Sequence, residues 1–207
     1  MIQQDVLKLY KKIEKFEKKE INIGELPSNA YYLDSKHTLI LDPSNSGARF
    51  PYAVNGFTIW AYASGYISIN HSSYYILQAN LEGKEPFVDF FGIEHDNKEH
   101  NPVSILGVCQ NYNEIKNKRY TVFTKSVAYY LTKTKDFLYA VVVFLNDNQQ
   151  VYFTQVVINL STQTKTVSTS SFFNMLFKYD SNESIETKWF KKVEYKDEKG
   201  EVSIEPQ

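Results

Sequence analysis

Glu94-His95-Asp96-Asn97-Lys98-Glu99-His100 gathers two imidazoles and three carboxylates into seven residues. These are the groups that ligate zinc and that pass protons near neutral pH. The spacing fits no ligand motif, and Lys98 sets an ammonium in its middle, so the stretch reads as a solvated polar loop. His71 and Glu82 add one more imidazole and one more carboxylate. A reaction at a sugar's anomeric centre needs a general acid and a general base facing each other across the ring. None of His71, His95, His100, Glu82, Glu94 or Glu99 sits in a motif that gives it that role. No catalytic residue, metal ligand or cofactor is therefore assigned.

A second group of residues suits binding. Trp60, Tyr62 and Tyr66 lie close together in sequence, with Arg49, Asn55 and Asn70 around them. A carbohydrate offers an apolar face of C–H groups and a rim of hydroxyls, which a flat aromatic ring beside amide and guanidinium donors can match. On a strand, Trp60 and Tyr62 share one face, opposite Ile59 and Ala61. With 16 Tyr, 14 Phe and 2 Trp in the chain, core filling accounts for most aromatics. The favoured expectation is that Trp60 packs between sheets, leaving Tyr62 or Tyr66 to lay a ring on a ligand. Cys109, in an apolar run, reads as a small core residue.

The elements that would position these residues change character once. Ile2, Val6, Leu9, Ile13 and Phe16 recur at spacings of four and three, with lysines mostly on the other faces, so residues 2–19 are predicted to form an amphipathic helix. Glu14, Glu17 and Glu20 dilute its basic charge, and docking on a sheet or on a second subunit is expected rather than on a membrane. Gly24 and Pro27 close the helical region. From Tyr31 to about Phe177, short apolar runs alternate with turn signals, the pattern of an antiparallel β-sandwich. Phe57–Tyr62 and Tyr66–Asn70 read as a hairpin around Ala63-Ser64-Gly65. Phe137–Leu145 carries the continuous run Val141 to Leu145 and is predicted to be a central strand buried on both faces. The chain thus divides into a helix (1–24), a β-sandwich (25–190) and a polar tail (191–207) whose last residues are expected to be loose.

Composition narrows the function classes. A chain of 207 residues buries enough surface to stand without staples. A net charge of −1 gives no footprint for nucleic acid or an anionic membrane. One cysteine excludes an internal disulfide, no run approaches the length of a membrane span, and the first residues lack the pattern of a signal peptide, so a cytoplasmic location is expected.

Two stretches resemble a known family. Asn55-Gly56-Phe57-Thr58-Ile59-Trp60-Ala61-Tyr62-Ala63-Ser64-Gly65 is similar to the aromatic-Trp-x-Tyr-x-x-Gly hairpin near the start of the cellobiose and chitobiose phosphorylases. Val151 to Ser161 resembles that family's strand ending in an Asn-x-Ser turn, followed here by the hydroxyl-rich run to Ser171. The resemblance covers residues 30 to 177. It implies a β-supersandwich, the architecture shared with galactose mutarotase. In the phosphorylases the general acid and the phosphate-binding residues lie on an (α/α) barrel that follows the sandwich. No barrel is encoded here, so the resemblance implies a stand-alone relative, or a subunit or fragment of something larger.

The expected function is a non-catalytic scaffold or carbohydrate-recognition sandwich in a glycan-processing protein or complex. Its expected partners are an oligosaccharide or a catalytic (α/α)-barrel protein, with a homo-oligomer formed through the N-terminal helix as a further option. The alternatives are a small mutarotase- or epimerase-like enzyme and a protein–protein interaction domain.

Overall fold

Val6, Leu9, Tyr10 and Ile13 fall on one stripe of a 3.6-residue repeat, and in the computed structural model of the chain they are the buried residues of a single helix, α1 (Ile2–Glu17). The structure describes residues 2–18, 25–26, 29–41, 43, 46–72, 74–77, 88–96, 99–106, 117–173, 178–179, 190–196 and 201–206. Among them no helix is long and apolar enough to cross a membrane. Asp5 in the first turn and Lys15 in the last complement the helix dipole.

The helix covers one face of a seven-stranded antiparallel sheet. In spatial order its strands are β1 (Glu25–Leu26), β2 (Ala30–Asp34), β3 (His37–Ile40), β10 (Lys118–Phe123), β11 (Val127–Lys133), β12 (Phe137–Leu145) and β13 (Val151–Asn159). Strand β12 is buried on both faces from Phe137 to Val143, as expected, but Phe144 and Leu145 at the end of the apolar run are half-buried, and the strand lies second from the sheet edge rather than at its centre. Alternation divides those residues. Leu138, Ala140 and Val142 pack with the helix stripe, while Phe137, Tyr139, Val141 and Val143 face a second layer.

Polar contacts pin the rim of the helix. Lys12 pairs with Asp34, whose carboxylate also accepts the Lys36 N–H at 2.8 Å and lies 2.7 Å from His37 Nδ1. Burial would raise the Asp34 pKa, but these bonds outweigh it and hold the group below the usual carboxylate range. Glu17 accepts the Tyr120 hydroxyl at 3.0 Å and Lys118 Nζ at 3.1 Å. The apolar stripe of α1 is thus used on the chain's own sheet.

The second layer holds two smaller antiparallel sheets. One has five strands in the order β15 (Lys178–Tyr179), β7 (Tyr74–Leu77), β6 (Ile67–His71), β5 (Phe57–Tyr62) and β4 (Arg49–Val54). The other has three, β14 (Thr166–Phe173), β8 (Val88–Asp96) and β9 (Glu99–Leu106). The fold is mainly β with one N-terminal helix, and its antiparallel sheets are layered as a β-sandwich. Close approach between layers is built in at Gly92, where an added Cβ would lie 2.3 Å from the Tyr139 ring.

Three expectations change. Residues 94–96 end β8 and residues 99–100 begin β9, with His95 opposite His100 and Asp96 opposite Glu99. Glu94, Asp96 and Glu99 are thus carried on paired strands, so polarity misled where backbone pairing decides. Strand β4 was not among the predicted strands; it contains Pro51 and lies at a sheet edge, where a missing N–H is tolerated. The polar tail is also a hairpin, β16 (Phe190–Lys196) with β17 (Glu201–Pro206), and Val193 lies opposite Ile204 and Tyr195 opposite Val202. The period-two alternation of those apolar residues supports the pairing. Cys109 and Glu82 lie outside the described residues.

A buried acid marks the three-stranded sheet. Asp89 is 1% exposed and accepts the Phe90 N–H at 2.7 Å and the Ser104 hydroxyl at 3.1 Å. Burial dominates these bonds and the charge of Arg119, and pushes its pKa up to about 7. An unfolded Asp titrates near 3.9, so between roughly pH 4 and 7 the native state holds a proton that the unfolded chain has lost. The contribution of Asp89 is complete below the unfolded pKa and is lost as pH rises through the folded one. Chemical denaturation at pH 5 and pH 8 is expected to show stability falling over that interval, and Asp89→Asn is expected to flatten the fall. An identical pH slope in the variant would contradict this assignment.

Candidate functional site

Strand β5 alternates in and out of the core. Ile59 and Ala61 are 0% exposed and fill the interior, while Thr58, Trp60 and Tyr62 occupy the opposite face and are half-buried. Trp60 is therefore not packed between the sheets, which corrects the favoured expectation. Both sets of residues are apolar enough for either face, and the flanking strand decides. On β4, Arg49, Pro51 and Ala53 share the outer face and all are exposed.

Register brings the site together. Arg49 lies opposite Tyr62 and Pro51 opposite Trp60, while on the other side Ser68 lies opposite Trp60 and Asn70 opposite Thr58. The Arg49 guanidinium sits over both rings, 5.0 Å from the Trp60 centroid and 5.8 Å from that of Tyr62. It also reaches the Tyr62 hydroxyl at 3.4 Å. A guanidinium over two aromatic faces is held electrostatically and keeps its outer edge available to acceptors. Asn70 Nδ2 donates to the Ser72 carbonyl at 3.3 Å, and Asn70 Oδ1 is buried without a hydrogen-bond partner among the described residues.

Arg49, Trp60, Tyr62 and Asn70 thus share one outer face. The other two proposed binding residues do not join them as expected. Asn55 sits in the β4–β5 turn with a φ of 47°, and its carbonyl accepts Gln149 Nε2 at 3.2 Å. It is six residues along β4 from Arg49, about 20 Å at strand rise. Tyr66 belongs to the tight connection between β5 and β6, where its carbonyl accepts the Tyr62 N–H at 2.9 Å and Gly65 adopts a φ of 99°. Burial raises the Tyr66 phenol pKa. Pro51 and Ser68, which flank Trp60, had no sequence signal of their own. Only the strand register reveals them.

The acid–base candidates are dispersed. Glu94 and His95 are successive residues of β8 and so project to opposite faces. Glu94 accepts the Thr134 hydroxyl at 2.6 Å and the Tyr139 hydroxyl at 3.0 Å, while His95 Nε2 lies 2.8 Å from Ser168 Oγ. His71 ends β6 in the other small sheet, next to the Phe57 ring at 5.9 Å. The side chains of His100 and Glu99 lie outside the described residues. Among the described residues no three His, Cys, Asp or Glu side chains are grouped to hold a metal ion.

What holds the aromatic face in place comes from the far layer. Tyr130 is fully buried, burial pushes its phenol pKa well up, and its hydroxyl donates to the Tyr62 carbonyl at 2.9 Å. Thr121 donates to the Ala63 carbonyl at 2.7 Å. The Tyr62 carbonyl also accepts the Gly65 N–H at 3.0 Å. Tyr130→Phe therefore leaves that acceptor partly satisfied and is expected to cost about 1 kcal/mol, whereas Thr121→Val strips the only described donor from the Ala63 carbonyl and is expected to cost about 1–3 kcal/mol. Urea denaturation checks the order. Equal costs, or a larger one for Tyr130→Phe, would contradict this account of the anchor.

Compared with protein-family models and with curated proteins, the chain matches none.

Proposed function

We propose that the chain is a non-catalytic recognition module that holds an oligosaccharide against the outer face of β4, β5 and β6. The observation that carries this reading is the pairing of Trp60 and Tyr62 on one half-buried face, with Arg49 across both rings. The rings offer a flat apolar surface for the C–H face of a sugar, and the guanidinium on its flexible stem swings to the rim, where its donors meet hydroxyls. The resemblance of this hairpin to that of the cellobiose and chitobiose phosphorylases favours a β-linked gluco-oligosaccharide, and a catalytic (α/α)-barrel protein as the partner that such a module serves. A mutarotase-like reaction finds less support, because Glu94 and His95 project to opposite faces and Glu94 is engaged by two hydroxyls.

Calorimetric titration with cellobiose, chitobiose and β-1,2-gluco-oligosaccharides tests the proposal. Saturable binding at millimolar sugar or below is expected, and Trp60→Ala is expected to abolish it while shifting Tm by only a few degrees, as for a residue outside the core. The absence of binding by the native chain, or a variant that unfolds as a core Trp→Ala would at about 3–5 kcal/mol, would overturn it.

A further inference from the structure

Sheet edges invite pairing with other chains unless something guards them. In this fold most edges are guarded. Among the described residues, β4 has Pro51 in its middle and β9 has Pro102, each removing a backbone donor, and β1 and β15 are two residues long. The separate hairpin β16–β17 carries charged residues on both strands, Lys191, Lys192, Glu194 and Lys196 on one and Glu201 and Glu205 on the other. The remaining edges, β13 and β14, are consecutive in the chain and meet at one corner of the sandwich. Strand β13 is sheltered there, with its Phe153 ring against Phe90 and Phe173 and its Gln155 side chain bonded to the Phe91 carbonyl. Among the described residues, no strand or side chain shelters the outer edge of β14 in the same way.

Its exposure is unusual for a paired strand. From Thr166 to Phe173 only Val167 and Phe173 are even partly buried, and Phe172 is 49% exposed. Thr169 and Ser171 lie opposite Gly92 and Phe90 of β8, which face the seven-stranded sheet, yet both are exposed. The strand therefore overhangs the layer beneath it. It contains no proline and no charge.

We propose that the free edge of β14 pairs antiparallel with β14 of a second copy, around a two-fold axis at Ser170, joining two three-stranded sheets into one of six strands. The occupant follows from the strand's own chemistry. About Ser170, Val167 of one copy falls opposite Phe173 of the other, so apolar residues meet on the inner face. Thr169 meets Ser171, hydroxyl to hydroxyl, and Phe172 is covered across from Ser168. A strand without charge brings no like-charge repulsion into such a symmetric pairing. The surface is separate from the Trp60 face, on a different sheet, and stands or falls independently of sugar binding.

Multi-angle light scattering on the native chain, measured against concentration, is expected to show conversion from one chain mass to two. Ser170→Lys sets two ammonium groups against each other at the axis and is expected to hold the protein at one chain mass; Ser170→Glu is expected to do the same, and mixing the two variants is expected to restore the double mass. Should either variant fail to fold, hydrogen exchange on the native chain decides: amides of residues 166–173 are expected to gain protection as concentration rises. A native chain that stays at one mass at every concentration, a folded Ser170→Lys variant that still dimerises, or exchange at β14 that ignores concentration would overturn the proposal, as would β14 pairing only with an added extended peptide.

Discussion

A row of hydrogen-bond donors on the inner face of the seven-stranded sheet holds the two layers in register, and the position of every other feature depends on it. Thr121 reaches the Ala63 carbonyl, Tyr130 that of Tyr62, Arg119 that of Ile105 at 3.3 Å, Thr132 that of Ser104 at 3.4 Å and Gln155 that of Phe91 at 3.3 Å. Each bond ties a side chain of one layer to a backbone carbonyl of the other, and for Ala63 the Thr121 hydroxyl is the only described donor. Apolar packing alone would let two sheets slide, since it lacks direction. Directed bonds fix one offset. They also explain why polar residues such as Thr121 and Thr132, each 1% exposed, sit in the core.

The same bonds connect core to surface. The carbonyls of Tyr62 and Ala63 are held from below, at the end of the strand whose outward side chains are Trp60 and Tyr62. The aromatic face is thus carried on a rigid element rather than on a loop, which limits the entropy lost when a ligand orders it. Helix α1 acts from the other side. By packing on the outer face of the seven-stranded sheet, it leaves β12 buried on both faces from Phe137 to Val143, which is why that strand tolerates an unbroken apolar run.

The sequence revealed elements wherever one period dominated. The stripe of Val6, Leu9 and Ile13 specified the helix, and Phe137–Leu145 announced a doubly buried strand. The direction of a strand was harder to read. In Phe57–Tyr62 both alternating sets are apolar, so whether Trp60 or Ile59 faces the core is decided by the neighbouring residues Arg49 and Pro51, on a strand that was not predicted. Glu94, Asp96 and Glu99 misled for the opposite reason, since charge at the ends of paired strands looks like a loop. The anchors of the candidate site were invisible, because Tyr130 and Tyr62 are separated by 68 residues and nothing local to either names the other.

The central claim is that the layer-to-layer bonds present Trp60 and Tyr62 as a binding face. Amide chemical-shift mapping of the native chain with a bound β-linked gluco-oligosaccharide tests it most directly. The account predicts shifts confined to Arg49–Val54, Phe57–Tyr62 and Ile67–His71, with the amides of Phe137–Leu145 unmoved. Shifts centred on Glu94 and His95, or none above those of a sugar-free control, would contradict it.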